Sequence, residues 1–393
     1  MTKPANYQAL LEQYVEGLQY SAKLHCEGWP EDDGELNMLE GVRASLRLAS
    51  AGALMFLETS RAHPTLIKCM SIVRQYQLPA ADAVYHIANL HGDYSYRLTG
   101  RRGSARCFQL TTWKGSCANH EGYAMVAEHD NLTNPEMLGD NQDIDIVLSA
   151  TPQEGHWIAL PEGDCEIWVR QYYSDWETED PATEMKIERI GGSYPPPPLT
   201  RAELEANLQH TRDWQHFQSD YFLAKVREHL ETDPATLAIV SHPTAWQSNQ
   251  YLSGHYRCRP DEAVIIEFDA PQAHYWGMQL ANLQWEAMEY YMRHSSLNNK
   301  QAHIDDDGKV RIVISHTDPG VLNWFDTSGR TLGLISARYF KCPEAAPPVL
   351  RNVLLKDLRQ HLPDNTPVVT MQQRQGLIRS RLASVFRRLA ADQ

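Results

Sequence analysis

The spacing of apolar positions changes character along the chain, and each change predicts a different kind of element. Near the N-terminus, Leu10, Leu11, Tyr14 and Leu18 recur on one helical face. From Leu39 to Leu57 the pattern is almost all-round apolar, with Val42, Leu46, Leu48, Leu54, Met55 and Leu57. A period near 3.6 predicts helices over the first ~75 residues, the second of them buried. Near Asp93 the pattern becomes strand-like. DYSYRLTG and SARCFQLTTW read as two strands joined across Gly100 and Gly103, because glycine permits the positive φ of a tight hairpin. DIDIVLSA (143–150), HWIAL (156–160), CEIWVRQYY (165–173) and EMKIERI (184–190) follow at the short spacing of an all-β block.

The run GGSYPPPPL (191–199) interrupts the pattern, since four prolines in a row fit neither a helix interior nor a central strand. Thr200 with Glu203 then reads as a capping box, opening a helix that reaches about Leu230. Strands resume at AVIIEFDA (263–270), HYWGMQLAN (274–282), KVRIVISH (309–316) and TLGLISARYF (331–340). A hairpin is expected to turn at Asp306-Asp307-Gly308; this is a plain turn, because the glutamate that would close a calcium loop is missing. Thr370 and Gln373 cap a last helix with an apolar stripe of Ile378, Leu382, Val385, Phe386 and Leu389. No internal repeat is legible. The expected fold class is α+β, mainly β, with antiparallel β-sandwich or jelly-roll-like modules and N-terminal, linker and C-terminal helices. Three regions are expected: an N-terminal helical region (1–90), a first β-rich block (91–195) and a β-sandwich with flanking helices (196–393).

Composition narrows the partners. A net charge of −14 over 393 residues argues against nucleic acid, whose phosphates need a basic face. The tail from residue 351 runs the other way, with eight Lys/Arg against three Asp/Glu, and reads as a basic helix docked on an acidic body. The seven cysteines are scattered without a C-x-x-C pair, which suits free thiols in a reducing compartment. No signal-like or membrane-length apolar run is present, so a cytoplasmic, membrane-free location is expected. Nucleotide, dinucleotide, nucleophile-elbow and zinc-hydrolase signatures are all missing, so the reading carries no cofactor and no metal.

Candidate chemistry concentrates between Tyr275 and Arg330, where Trp276, Trp285 and Trp324 lie close in sequence to Gln279, Asn282, Glu286, Arg293, His294, Asn298, His316, Asp318, Asn323 and Asp326. In an alternating strand, His316 shares a face with Val310, Ile312 and Ile314, at the rim of the core. Asp318 could orient that imidazole, and Glu286 or Glu267 could serve as acid or base if burial raises its pKa. Arg293 reads either as a carboxylate anchor or as an ion pair with Glu286 or Glu289. Asn323, Asp326 and Thr327 would also stabilise the loop itself. A weaker cluster in the first half comprises Arg101, Arg102, Lys114, His120, Glu121 and His129.

The strings YWGMQLANLQWE, RHSSLN and above all SHTDPGVLNWFDTSG resemble the domain-of-unknown-function family DUF1214, a module of bacterial-type proteins also found paired with the related DUF1254. The blocks YRLTGRRGSARCFQL and WIALPEGDCEIWVRQYYSDWETEDPATEMKIERI are similar to upstream segments of proteins carrying it, so the resemblance spans most of residues 90–390. It implies antiparallel β-sandwich architecture and marks Arg293, Asn298, His316, Asp318, Asn323, Trp324 and Asp326 as motif positions. It implies no reaction. The expectation is a small-molecule-binding protein, or a cofactor-independent hydrolase or lyase, acting on a partly apolar organic compound. His316, Asp318 and Glu286 would be catalytic, and Trp276, Gln279, Trp285, Arg293, Asn298, Asn323, Trp324 and Asp326 would bind substrate. The alternatives are a noncatalytic carbohydrate- or lipid-binding sandwich, and a scaffold whose proline spacer and terminal helices mediate homo-oligomer contacts.

Overall fold

The computed structural model describes residues 8–139, 141–240, 248–343 and 345–390. Two helices, α1 (Gln8–Cys26) and α2 (Gly34–Leu57), open the chain. Nine strands follow: β1 (Ile67–Lys68), β2 (Ala83–His91), β3 (Tyr96–Arg101), β4 (Cys107–Lys114), β5 (Ala124–Asp130), β6 (Asp143–Ser149), β7 (Trp157–Ala159), β8 (Asp164–Tyr172) and β9 (Thr183–Arg189). They make a five-stranded sheet ordered β1-β2-β8-β4-β5 and a four-stranded sheet ordered β7-β6-β3-β9. The long helix α3 (Arg201–Leu230) leads to nine more: β10 (Ala238–Val240), β11 (Asn249–Arg257), β12 (Glu262–Asp269), β13 (Tyr275–Ala281), β14 (Ser296–Asn298), β15 (Lys309–Ser315), β16 (Trp324–Asp326), β17 (Leu332–Phe340) and β18 (Val349–Leu354). Their sheets are β10-β11-β17-β13-β14 and β16-β15-β12-β18, and helix α4 (Met371–Ala390) closes the chain.

Among the described residues, raising each strand number of the first half by nine reproduces the second half, including a parallel pair in each, β6 with β7 and then β15 with β16. The chain is therefore a topological repeat of one sandwich, although no repeat is visible in the residues. Strands tolerate any side chain of the right burial, so sequence diverges while register persists.

Each half packs its two sheets around an apolar layer. Ala88, Leu90, Leu110, Ile167 and Val169 meet Leu98, Ile146 and Ile187 in the first, and Met278, Leu280, Ile335 and Ala337 meet Val264, Ile266, Ile312 and Ile314 in the second. The five-stranded sheets are covered on their other faces too. Around Cys107, Tyr172, Tyr275 and Phe340 they face one another across the junction of the halves. Strands β13 and β17 are consequently buried at every position, which is why they read as continuous apolar runs rather than alternations.

Several expectations change. β3 and β4 exist but form no hairpin: β3 pairs with β6 and β9, and β4 with β5 and β8, so the chain crosses between sheets at Gly103. The helical region ends at Leu57, and β2 is an interior strand of its sheet within the segment expected to be helical. Helix α2 buries only one face. Ala44, Leu48, Met55 and Phe56 point inward, while Leu39, Val42 and Leu46 are exposed. Both capping expectations hold: Thr200 accepts from the Glu203 amide at 3.2 Å, and Thr370 and Gln373 satisfy each other reciprocally.

Helix α4 docks by arginines as well as by part of its apolar stripe, for Val385 is buried and Leu389 packs against the same cluster. Arg374, Arg381 and Arg388, seven residues apart, are each at most 6% exposed, whereas Phe386 is half exposed. Arg374 pairs with Asp318 at 3.0 Å, Arg381 donates to the Tyr290 carbonyl at 3.0 Å, and Arg388 lies 4.3 Å over Trp176. Long arginine stems bury well, and their heads find carbonyls and rings.

The N-terminal helices carry an acid-sensitive contact. His25 is buried, and its Nδ1 donates to Gln284 Oε1 at 2.7 Å. Burial, opposed by that hydrogen bond, brings its pKa down from 6.5 to about 4. Because the folded pKa is depressed, the stability it contributes is complete above pH 6.5 and is lost as pH falls from 6.5 toward 4, by about 3 kcal/mol. Urea unfolding of His25→Gln across that window should show a shallower pH slope than the parent chain. An unchanged slope would mean that His25 is not part of the acid response.

Candidate functional site

A cavity of about 180 Å³ lies where the two five-stranded sheets face each other, with Phe222 of α3 and the loop residues His120 and Trp285 completing its wall. Its polar groups come from equivalent positions of the two halves. In the first sandwich Tyr85 on β2 stands opposite Arg170 on β8; in the second Tyr251 on β11 stands opposite Arg338 on β17. Strand alternation sends Arg170 and Arg338 away from their own cores, where Val169 and Ala337 point, and toward the junction.

The pairs interlock. The Arg170 guanidinium lies 5.2 Å over the Tyr85 ring and donates to the hydroxyls of Tyr172 and Tyr251, both at 3.3 Å. Burial disfavours its charge, but Tyr172, Tyr251 and Tyr85 outweigh burial and hold its pKa above the ordinary value. Arg338 lies 5.9 Å from the Tyr251 ring and donates to the Leu78 carbonyl. It is 8% exposed and has no carboxylate partner among the described residues. The junction is thus a concentrated positive spot in a chain of net charge −14.

Aromatic rings form the rest of the wall. Trp113 and Tyr123 stack at 4.9 Å, and Trp168 Nε1 donates to the Tyr123 hydroxyl at 3.1 Å. Behind them the buried Glu166 accepts from the Cys117 amide at 2.7 Å and from the Tyr123 hydroxyl at 2.9 Å. Burial raises the Glu166 pKa against those donors, and it pushes the Cys117 thiol and the Tyr123 phenol well up. Four lining residues, Gln77, Leu78, His120 and Trp285, have φ between 52° and 59° without being glycine. Such backbone costs on the order of 1–3 kcal/mol per residue and tends to gather at functional sites.

Most of the residues expected from sequence have other engagements. His316 Nε2 bonds the Cys258 carbonyl at 2.9 Å, Asp318 pairs with Arg374, and Glu286 is buried against Arg47 at 2.9 Å. These three make no hydrogen bond to one another. Trp276 packs in the second core, at an edge to Phe268. Arg293 takes its ion-pair alternative, with Asp326 at 3.0 Å and Glu289 at 3.8 Å, while Glu267 pairs with Arg311. Asn323 holds the His303 amide and carbonyl, and Trp324 Nε1 bonds Ser315 Oγ. Asn298 donates to the buried Asp82 at 2.7 Å. Gln279 acts at one remove: it donates to the carbonyl of Pro79, which lines the cavity. Trp285, together with His120 of the weaker cluster, lines the cavity itself. Among the described residues no three His, Cys, Asp or Glu side chains group to hold a metal.

Arg170 and Arg338 escaped the sequence reading, yet both left a signal. Each is a lone charge inside an apolar strand, IWVRQYY and LISARYF, and a buried charge in such a strand calls for a reason.

Residues 254–343 match the model of the family described as "Protein of unknown function (DUF1214)". The fold is similar to the crystal structure of an uncharacterised protein from Burkholderia cenocepacia, with a TM-score of 0.83 and 26% identity over 88% of this chain and 97% of that one. The VPA0106 protein of Vibrio parahaemolyticus is more loosely similar, with a TM-score of 0.47 and 10% identity over 86% of this chain and all of that one. No curated protein matches the chain. The matched segment is narrower than the resemblance read from sequence: it contains Arg338 but neither Arg170 nor the upstream blocks. The match to DUF1214 runs from the middle of β11 to just past β17 and so lies within the second sandwich.

Proposed function

We propose that this chain binds a small, partly apolar organic anion in the cavity between its two sandwiches. The observation that carries this reading is Arg338, a buried guanidinium at a cavity wall whose hydrogen-bond acceptor among the described residues is one backbone carbonyl. A guanidinium has five N–H donors, and burying its charge is costly unless an anion compensates it. Arg170, at the equivalent position of the other half, adds a second positive charge. Trp113, Trp168, Phe222 and Trp285 supply apolar area for the remainder of the ligand. The volume is close to that of engineered cavities of ~150 Å³ that hold benzene, so the fit is to a single ring or a short branched chain.

Benzoate and its uncharged isostere benzamide test the reading. Calorimetric titration should show benzoate binding and benzamide binding at least tenfold more weakly. Arg338→Met should weaken benzoate by about tenfold to a hundredfold, or roughly 1.4–2.8 kcal/mol. Equal affinity for the acid and the amide, or an Arg338→Met variant that binds benzoate as the parent does, would overturn it.

A further inference from the structure

The repeat makes the two cavity walls comparable position by position, and they differ one rung beyond the arginines. On the first sandwich the next cross-strand pair on the same face is Ile87 with Trp168; on the second the equivalent pair is Ser253 with Ser336. One wall is therefore aromatic, continuing into Trp113 and Tyr123, while the other carries two hydroxyls. Ser253 Oγ donates to the Ile335 carbonyl at 3.4 Å. Ser336 is 6% exposed and lines the cavity, and its hydroxyl has no hydrogen-bond partner among the described residues. A hydroxyl at a cavity wall that ligand binding would close off from water must find a new partner, so this one is placed to meet a polar group of the ligand.

Resting on the anion reading above, we infer that the ligand is a one-ring aromatic acid bearing a hydroxyl or amino group on the ring opposite the acid. Its acid meets Arg338, its ring lies against Trp168, and its substituent hydrogen bonds Ser336. The rise of roughly 3.3 Å per strand residue sets Ser336 and Arg338 about 7 Å apart along β17, a span that suits one substituted ring rather than a fused pair. A serine hydroxyl both donates and accepts, so it can serve a phenol or an aniline. The aromatic wall adds ring-to-ring contact, which an aliphatic acid of the same length would forgo.

The test is the ratio of affinities for 4-hydroxybenzoate and benzoate, with 4-methylbenzoate as the control for size, measured calorimetrically on the full chain. The parent should prefer 4-hydroxybenzoate over both others by about tenfold. Ser336→Ala should bring the ratio to within about twofold, and Ser336→Thr should restore most of it. Equal binding of 4-hydroxybenzoate and benzoate by the parent overturns the inference, as does an equal gain from the methyl group or an unchanged ratio in Ser336→Ala. In each of these cases benzoate still binds and the anion reading survives. If none of the three acids binds the parent, the anion reading falls and the inference falls with it.

Discussion

Replacing Glu40 with alanine should remove about 3–5 kcal/mol of stability, seen in urea as a lower midpoint at unchanged slope. Glu40 on α2 and Arg330, just before β17, are 3% and 4% exposed and pair through both guanidinium ends. Removing the carboxylate leaves Arg330 buried without its counter-charge, and that uncompensated charge dominates the cost. The same seam is held by Asp33, whose carboxylate accepts from the Thr331 amide at 2.7 Å and hydroxyl at 2.6 Å. These contacts join the N-terminal helices to the segment that matches the DUF1214 model. The double variant Glu40→Met/Arg330→Met separates ionic from steric causes. It replaces the pair by apolar groups of similar length and should lose much less than Glu40→Ala. An equal or larger loss in the double variant would show that the pair is favourable in itself, contrary to this account.

Trp214→Ala should cost a similar ~3–5 kcal/mol through the cavity it leaves. Trp214 on α3 is fully buried, meets Tyr76 edge-on at 4.8 Å and Phe56 at 6.0 Å, and donates to the Leu48 carbonyl at 3.1 Å. Helix α2 approaches so closely that a Cβ on Gly52 would sit 2.7 Å from the indole. The ring is thus the contact surface of α2 with α3 and part of the cluster containing Trp113 and Trp168 of the cavity wall. Trp214→Phe keeps most of the ring and should recover more than half the loss. Amide exchange in α2 should accelerate in Trp214→Ala; protection equal to the parent's would locate the indole's contribution elsewhere.

The position of the site depended on information that nearness in sequence does not hold. The 276–326 stretch is dense in polar and aromatic residues because a twisted, looping segment must satisfy its own backbone. Asn323 and Asp326 do this within the segment, and His316 does it against Cys258. The cavity residues lie apart in the chain: Tyr85, Arg170, Tyr251 and Arg338 converge because two sheets of the same register face each other. Single arginines in apolar strands hinted at them, but a lone charge does not say what it faces.

Sequence alone determined the local elements: helix caps at Thr200 and Thr370, the strands from AVIIEFDA to TLGLISARYF, and the DUF1214 motif strings. Caps, turns and strand periodicity depend on residues a few positions apart, and the hydrophobic pattern records them directly. Tertiary structure decided the rest. It placed β3 and β4 in different sheets, set β2 inside a sheet, exposed one face of α2, and turned α4 onto its arginines. It also revealed the nine-strand repeat and brought two distant arginine–tyrosine pairs to one cavity. Those outcomes rest on which buried faces meet. Many pairings bury similar apolar area, and what selects among them is register and close packing between residues remote in the chain.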